Sequence, residues 1–161
     1  MVTEGKNTIV GYWEMHVLFD KFYRRLKSGL LADGELRVDM MPDYSLGGEY
    51  PAYFSMIGID ENCQPHGPAL RRLVESFFSV LYSGAIHGLF ITEIVARAWT
   101  GVGAAYCERM GLKPVKTRKN AIVPIDHWSG SISEILKQTG ANLYPNIEKL
   151  RERYAQHGLL G

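Results

Sequence analysis

The feature that most constrains this chain is a run of alternating patterns between Ala52 and Ala96. Ala52 to Ile59 is mostly apolar and carries Tyr53 and Phe54, which suits a strand. Leu70, Leu73, Val74, Phe77, Val80 and Leu81 then recur at helical spacing and form one apolar face. Arg71, Arg72, Glu75 and Ser79 form the opposite face. Pro68 sits where a first-turn proline costs no hydrogen bond, and Gly84 and Gly88 punctuate the end. Leu89 to Ala96 is an apolar run suited to a central strand.

The flanks supply further elements. Met15, Leu18, Phe19, Phe22 and Leu26, with Lys21, Arg24, Arg25 and Lys27 between them, predict an amphipathic helix from about Trp13 to Lys27, stopped by Gly29. Leu36, Val38 and Met40 alternate with polar residues and predict a strand over Glu35 to Met41, followed by a loop over Pro42 to Pro51. A helix from about Trp99 to Met110 is expected to stop at Gly111, with short strands at Leu112 to Lys116 and Ala121 to Ile125. Ser131-Ile132-Ser133-Glu134 has capping-box spacing, and Pro145 can open a last helix in which Ile147, Leu150 and Tyr154 share a face. The succession predicts a mixed α/β domain over 1–128, with a helical extension over 129–161 packed on the same domain.

Charge narrows the function. Eighteen Lys+Arg against 17 Asp+Glu give a formal charge of +1. That balance argues against a dedicated nucleic-acid or polybasic membrane protein. No apolar run approaches the ~20 residues of a spanning helix. The start, Met1 to Asn7, is polar, and two cysteines make no disulfide framework; a reducing, cytoplasmic setting is expected.

Most chemistry lies in Asp60-Glu61-Asn62-Cys63-Gln64-Pro65-His66-Gly67-Pro68-Ala69, between the first strand above and its helix. A glycine-bearing turn that opens into a helix aims backbone N–H groups and the positive end of the helix dipole at one point, which suits phosphate or pyrophosphate.

Gln64 to Ala69 fits the Gln/Arg-x-x-Gly-x-Gly/Ala signature, and the chain here resembles the GNAT superfamily of N-acetyltransferases. Tyr106-Cys107-Glu108-Arg109-Met110-Gly111-Leu112 is similar to that family's Phe-Tyr-Glu-Lys-x-Gly-Phe helix ending, and one helix plus one strand separate the two motifs. The likeness covers roughly Ala52 to Ile125. It implies a central mixed sheet flanked by helices and acetyl transfer from acetyl-CoA to a small-molecule or protein amine. It also implies two splayed central strands with the pantetheine arm between them. Met56, Ile57, Gly58 and Ile59 would lie beside that arm; Gln64, His66, Gly67 and Ala69 would surround the pyrophosphate. Thr100 aligns with a frequent asparagine of the family.

Cys107 stands where the family often has its acidic tyrosine. A thiol can donate a proton or act as a nucleophile, and Tyr106 is the neighbouring alternative. Asp60 and Glu61, just past the strand, are either bases or solvated turn carboxylates. His66 either meets phosphate or is an exposed loop histidine, and Glu93 either reaches the cleft as a base or points outward. Tyr44, Glu49 and Tyr50 border an expected acceptor site by position alone. No metal site is expected: Cys63 and His66 have ligand-like spacing, but no second pair completes four ligands. Gly101-Val102-Gly103 lacks the rest of a dinucleotide fingerprint. The rival to catalysis is a GNAT-fold binding or structural protein.

Overall fold

The computed structural model describes residues 2–4, 8–62, 66–115 and 126–160. In chain order the elements are β1 (Val2–Glu4), β2 (Thr8–Val17), α1 (Asp20–Lys27), β3 (Gly48–Ile59), α2 (His66–Ile86), β4 (Leu89–Ala98), α3 (Gly101–Arg109), β5 (Lys113–Val115), β6 (Asp126–Ser131), α4 (Ile132–Gln138) and α5 (Ile147–Gln156). The strands form one sheet in the order β1-β2-β3-β4-β6-β5. β3 and β4 are parallel and joined by α2; every other neighbouring pair is antiparallel. This is a mixed α/β architecture, a central mixed sheet flanked by helices and continued by two C-terminal helices.

Each face of the sheet buries its own set of side chains. Ala52, Phe54, Ile94 and Ala96 face α2, where Phe77, Phe78 and Leu81 meet them. Tyr53 and Val95 face the other way, against Leu18, Tyr23, Leu26, Leu31 and Met40. Strand alternation produces this division, since successive residues point to opposite faces. Val80, expected on the core face of α2, is instead exposed and Phe78 is buried. The helix also runs through Gly84 to Ile86, and it is Gly88, at φ 81°, that turns the chain into β4.

Two expectations for the first fifty residues are corrected. The stretch expected as a helix from Trp13 is strand β2 as far as Val17, and only Asp20–Lys27 is helical. Trp13, Met15 and Val17 pack with the α2-side core. Tyr12, Glu14 and His16 lie on the opposite face, so a period of two overrides the helical spacing of Met15 with the residues after it. The strand expected over Glu35 to Met41 is replaced by single 3₁₀ turns at Asp33–Glu35 and Val38–Met40. Only Met40 is buried there, while Val38 is 84% exposed, so three alternating residues do not amount to a buried face.

The C-terminal helices belong to the same core as β4. Ser131 caps α4 by accepting from the Glu134 N–H at 3.2 Å. Ile147, Leu150 and Tyr154 of α5 are fully buried. Tyr154 meets Phe90 edge to face, Tyr144 stacks on Phe78, and Arg151 donates to the carbonyls of Leu136 and Thr139. Strand β5 falls within the expected Leu112 to Lys116, whereas the strand expected at Ala121 to Ile125 lies outside the described residues.

Candidate functional site

The site begins with an irregularity in β3. Met15 pairs with Phe54 and Glu14 with Met56, so Ser55 is one residue extra on β3. A bulge bends its strand and strengthens the twist. Pairing between β3 and β4 ends at the same level, with Phe54 opposite Ala96. Beyond it, β3 runs to Ile59 hydrogen-bonded to β2, and β4 runs to Ala98 hydrogen-bonded to β6. The two parallel strands diverge, each with its outer neighbour, and residues 56–59 keep one free backbone edge toward β4.

The gap is a cleft of about 220 Å³. Phe54, Ser55, Met56 and Ile57 line it from β3, Ala96 and Arg97 from β4, and Gly103, Tyr106 and Cys107 from α3, with Met110 just past that helix and Trp99 and Thr100 at the turn before it. Because α2 follows β3 and α3 follows β4, both helices start at the carboxyl ends of the parallel pair. That is where open α/β sheets bind ligands and where helix N-termini favour anions. Gly67, in the first turn of α2, is exposed, and a Cβ added there would meet nothing within 4 Å. Pro68 removes one N–H from that turn. Thr100 caps α3, its hydroxyl accepting from the Gly103 N–H at 3.0 Å.

Of the expected site residues, Met56, Ile57, Thr100, Tyr106 and Cys107 meet in this cleft. Gly58 and Ile59 continue β3 beyond it, and Ile59 packs with Val10 and Leu73. His66 opens α2 and Ala69 is buried in its first turn. Gln64 and Cys63 lie outside the described residues. Asp60 and Glu61 do not line the cleft. Both are exposed, and the Asp60 carboxylate turns back to accept from the Asn62 backbone N–H at 2.8 Å and its side-chain amide at 3.0 Å. Glu93 does not reach the cleft either: it pairs with Lys27 and accepts from the Ser129 hydroxyl at 2.9 Å, tying α1 to the sheet. Of the residues expected near an acceptor, Tyr44 lines a separate apolar hollow beside Val80 and Leu81, and Glu49 pairs with His157.

Protonation favours some roles over others. Burial pushes the Cys107 thiol up to about 11, so it stays a thiol at neutral pH. That disfavours the thiolate a nucleophile requires. Burial also raises the half-buried Tyr106 phenol, with nearby Arg109 pulling the other way.

A second pocket, of about 460 Å³, adjoins the first. Glu14, His16, Asp33, Leu36, Met41 and Tyr53 line it together with Ser55, Met56 and Trp99, and those last three also line the cleft. Beneath it lies a buried polar network. The Arg97 guanidinium donates to Asp33, to the Leu31 carbonyl at 2.7 Å and to His127 Nε2 at 2.9 Å, and the Tyr53 hydroxyl donates to Asp33 at 2.7 Å. Burial lowers the Arg97 pKa. None of Glu14, His16, Asp33 or Arg97 is among the expected site residues. The signal that would have found two of them is the alternation of Tyr12, Glu14 and His16 with Trp13, Met15 and Val17.

Among the described residues no helix is long and apolar enough to cross a membrane, and no group of three His, Cys, Asp or Glu could hold a metal ion. No protein-family model, curated protein or solved structure matches the chain.

Proposed function

We propose that the protein is a GNAT-like N-acetyltransferase that takes acetyl-CoA in the cleft between β3 and β4 and passes the acetyl group to an amine. The observation that carries this is the divergence of two parallel strands at a bulge, which leaves a free strand edge between two helix N-termini. A pantetheine arm carries amide groups, and a free strand edge offers it the donors and acceptors of a neighbouring strand. The first turn of α2, open at Gly67, suits the pyrophosphate.

The thioester supplies an activated carbonyl. Backbone N–H groups along the free edge of β3 stabilise the oxyanion that forms when a neutral amine attacks. A thiolate leaves readily, since a free thiol has a pKa of about 8.5. The leaving step therefore needs little acid, and a weak donor such as Tyr106 or Cys107 suffices. The reading carries a cytoplasmic location, where acetyl-CoA and reduced thiols coexist. A second reading, a GNAT-fold protein that binds or builds without catalysis, is favoured by the high thiol pKa at Cys107.

The test is release of free coenzyme A thiol from acetyl-CoA on addition of an amine, with no amine as control. Amine-dependent release supports acetyl transfer. Binding of acetyl-CoA without release under any amine supports the second reading.

A further inference from the structure

We infer that the pocket around Glu14 is the acceptor site of this acetyl transfer, that it takes a primary monoamine borne on an apolar body, and that Glu14 accepts the ammonium proton. The inference rests on the donor reading above. Its first support is continuity. The bulge puts Ser55 and Met56 on the Glu14 side of β3 in succession: the Ser55 hydroxyl donates to Glu14 at 2.7 Å, and the Tyr12 hydroxyl meets the Met56 sulfur at 2.8 Å. The same two residues line the donor cleft, so a group bound in the pocket meets the cleft with no element between.

The second support is charge. Asp33 is compensated by Arg97. Glu14 has no Lys or Arg partner among the described residues; its partners are the Ser55 hydroxyl and His16, whose Nε2 lies 3.5 Å away. The pocket therefore holds one carboxylate without a fixed cation, a match for one ammonium. The third support is the remaining wall. Leu36, Met41, Met56 and Trp99 are apolar, and Trp99 is 67% exposed. An aromatic or aliphatic body would cover that wall, which offers a second ammonium no carboxylate of its own.

The step balances. The Glu14 carboxylate takes one proton from the ammonium, and the freed nitrogen lone pair forms the C–N bond to the thioester carbonyl carbon. The C–S bond breaks and its electron pair leaves on sulfur. The nitrogen loses its second proton as the thiolate gains one, and Glu14 returns its own to water, giving amide, thiol and one proton.

The experiment uses the full chain, acetyl-CoA, and three amines: phenethylamine, spermidine and a lysine-containing peptide, with thiol release as the readout. Phenethylamine is expected to show at least tenfold higher kcat/KM than the other two. Glu14→Gln is expected to lower kcat/KM at least 100-fold while acetyl-CoA affinity, measured by calorimetry on the same sample, stays within twofold; that affinity also reports folding. Trp99→Ala is expected to raise the KM for phenethylamine with less effect on kcat. If acetyl-CoA binds the wild type but spermidine or the peptide is preferred, or no amine reacts, the substrate class is overturned. If Glu14→Gln keeps kcat/KM within threefold, the role of Glu14 is overturned. Failure of the wild type to bind acetyl-CoA instead refutes the donor reading on which the inference stands.

Discussion

Tyr154→Phe removes one oxygen atom, and its effect follows from a register shift in the middle of the sheet. Pro51 lies buried within β3, where it has no N–H to give. Beside it the register shifts: Tyr50 pairs with Ile91 but Ala52 with Ile94, so β4 carries an extra residue there. The Ile91 N–H donates across to the Tyr154 hydroxyl at 3.1 Å, at a tyrosine with no exposed surface. Phenylalanine keeps the packing against Phe90 and leaves that buried N–H without its acceptor. The cost of an unsatisfied buried donor is about 1–3 kcal/mol. At ~2 kcal/mol, a chain of this size loses about 4–8 °C in Tm, since ~1 kcal/mol shifts Tm by about 2–4 °C at this length. Chemical denaturation followed by circular dichroism checks it: the midpoint falls and the slope stays constant. A loss below ~0.5 kcal/mol would refute the reasoning, because it would mean that α5 supplies nothing the sheet needs at Ile91.

Further predictions follow from the buried ionisable groups and the cleft. Tyr23, Tyr53 and Tyr154 all have phenols raised by burial, the last to about 12. Above the ordinary tyrosine pKa of about 10 the unfolded chain releases protons that the folded chain keeps. Stability is thus fully present below about pH 10 and falls above it, by about 1.4 kcal/mol per pH unit for each tyrosine. Absorbance at the phenolate band should rise together with unfolding, and early, independent titration of three phenols would contradict this. In a Cys63→Ser background, alkylation of Cys107 by iodoacetamide should climb about tenfold per pH unit toward pH 11, as its raised pKa requires; a plateau near pH 8 would refute the buried-thiol account. Cys107→Ser should change acetyl-CoA affinity less than turnover, measured by calorimetry and thiol release, and unchanged turnover would remove Cys107 from proton donation.

The second half of the chain was far more legible than the first, and the reason is pattern length. Leu70 to Leu81 and Leu89 to Ala96 each give a long stretch of one period, and both elements stand close to where that period puts them. Met15 belongs at once to a strand alternation before it and a helical spacing after it, and only the pairing of β2 with β3 decides between them. The cleft was partly legible, because Met56, Ile57, Thr100, Tyr106 and Cys107 sit in or beside recognisable motifs. The pocket around Glu14 was not. It is assembled from β2, β3, the 3₁₀ turn at Asp33–Glu35 and the turn at Trp99, and Met56 joins Ser55 on the Glu14 side only because of a bulge that no local pattern announces.

The most direct test of the account is calorimetric titration of the protein with acetyl-CoA, beside NAD and ATP, for the wild type and Gly67→Glu. A Cβ at position 67 meets no neighbour, so the substitution leaves the fold in place and acts through charge at the start of α2. Two like charges about 6 Å apart at an effective dielectric near 20 repel by about 3 kcal/mol, or on the order of a hundredfold in affinity. The account predicts saturable binding of acetyl-CoA alone by the wild type, weakened by about that factor in Gly67→Glu. No binding by folded wild-type protein, or equal binding by both, would contradict it.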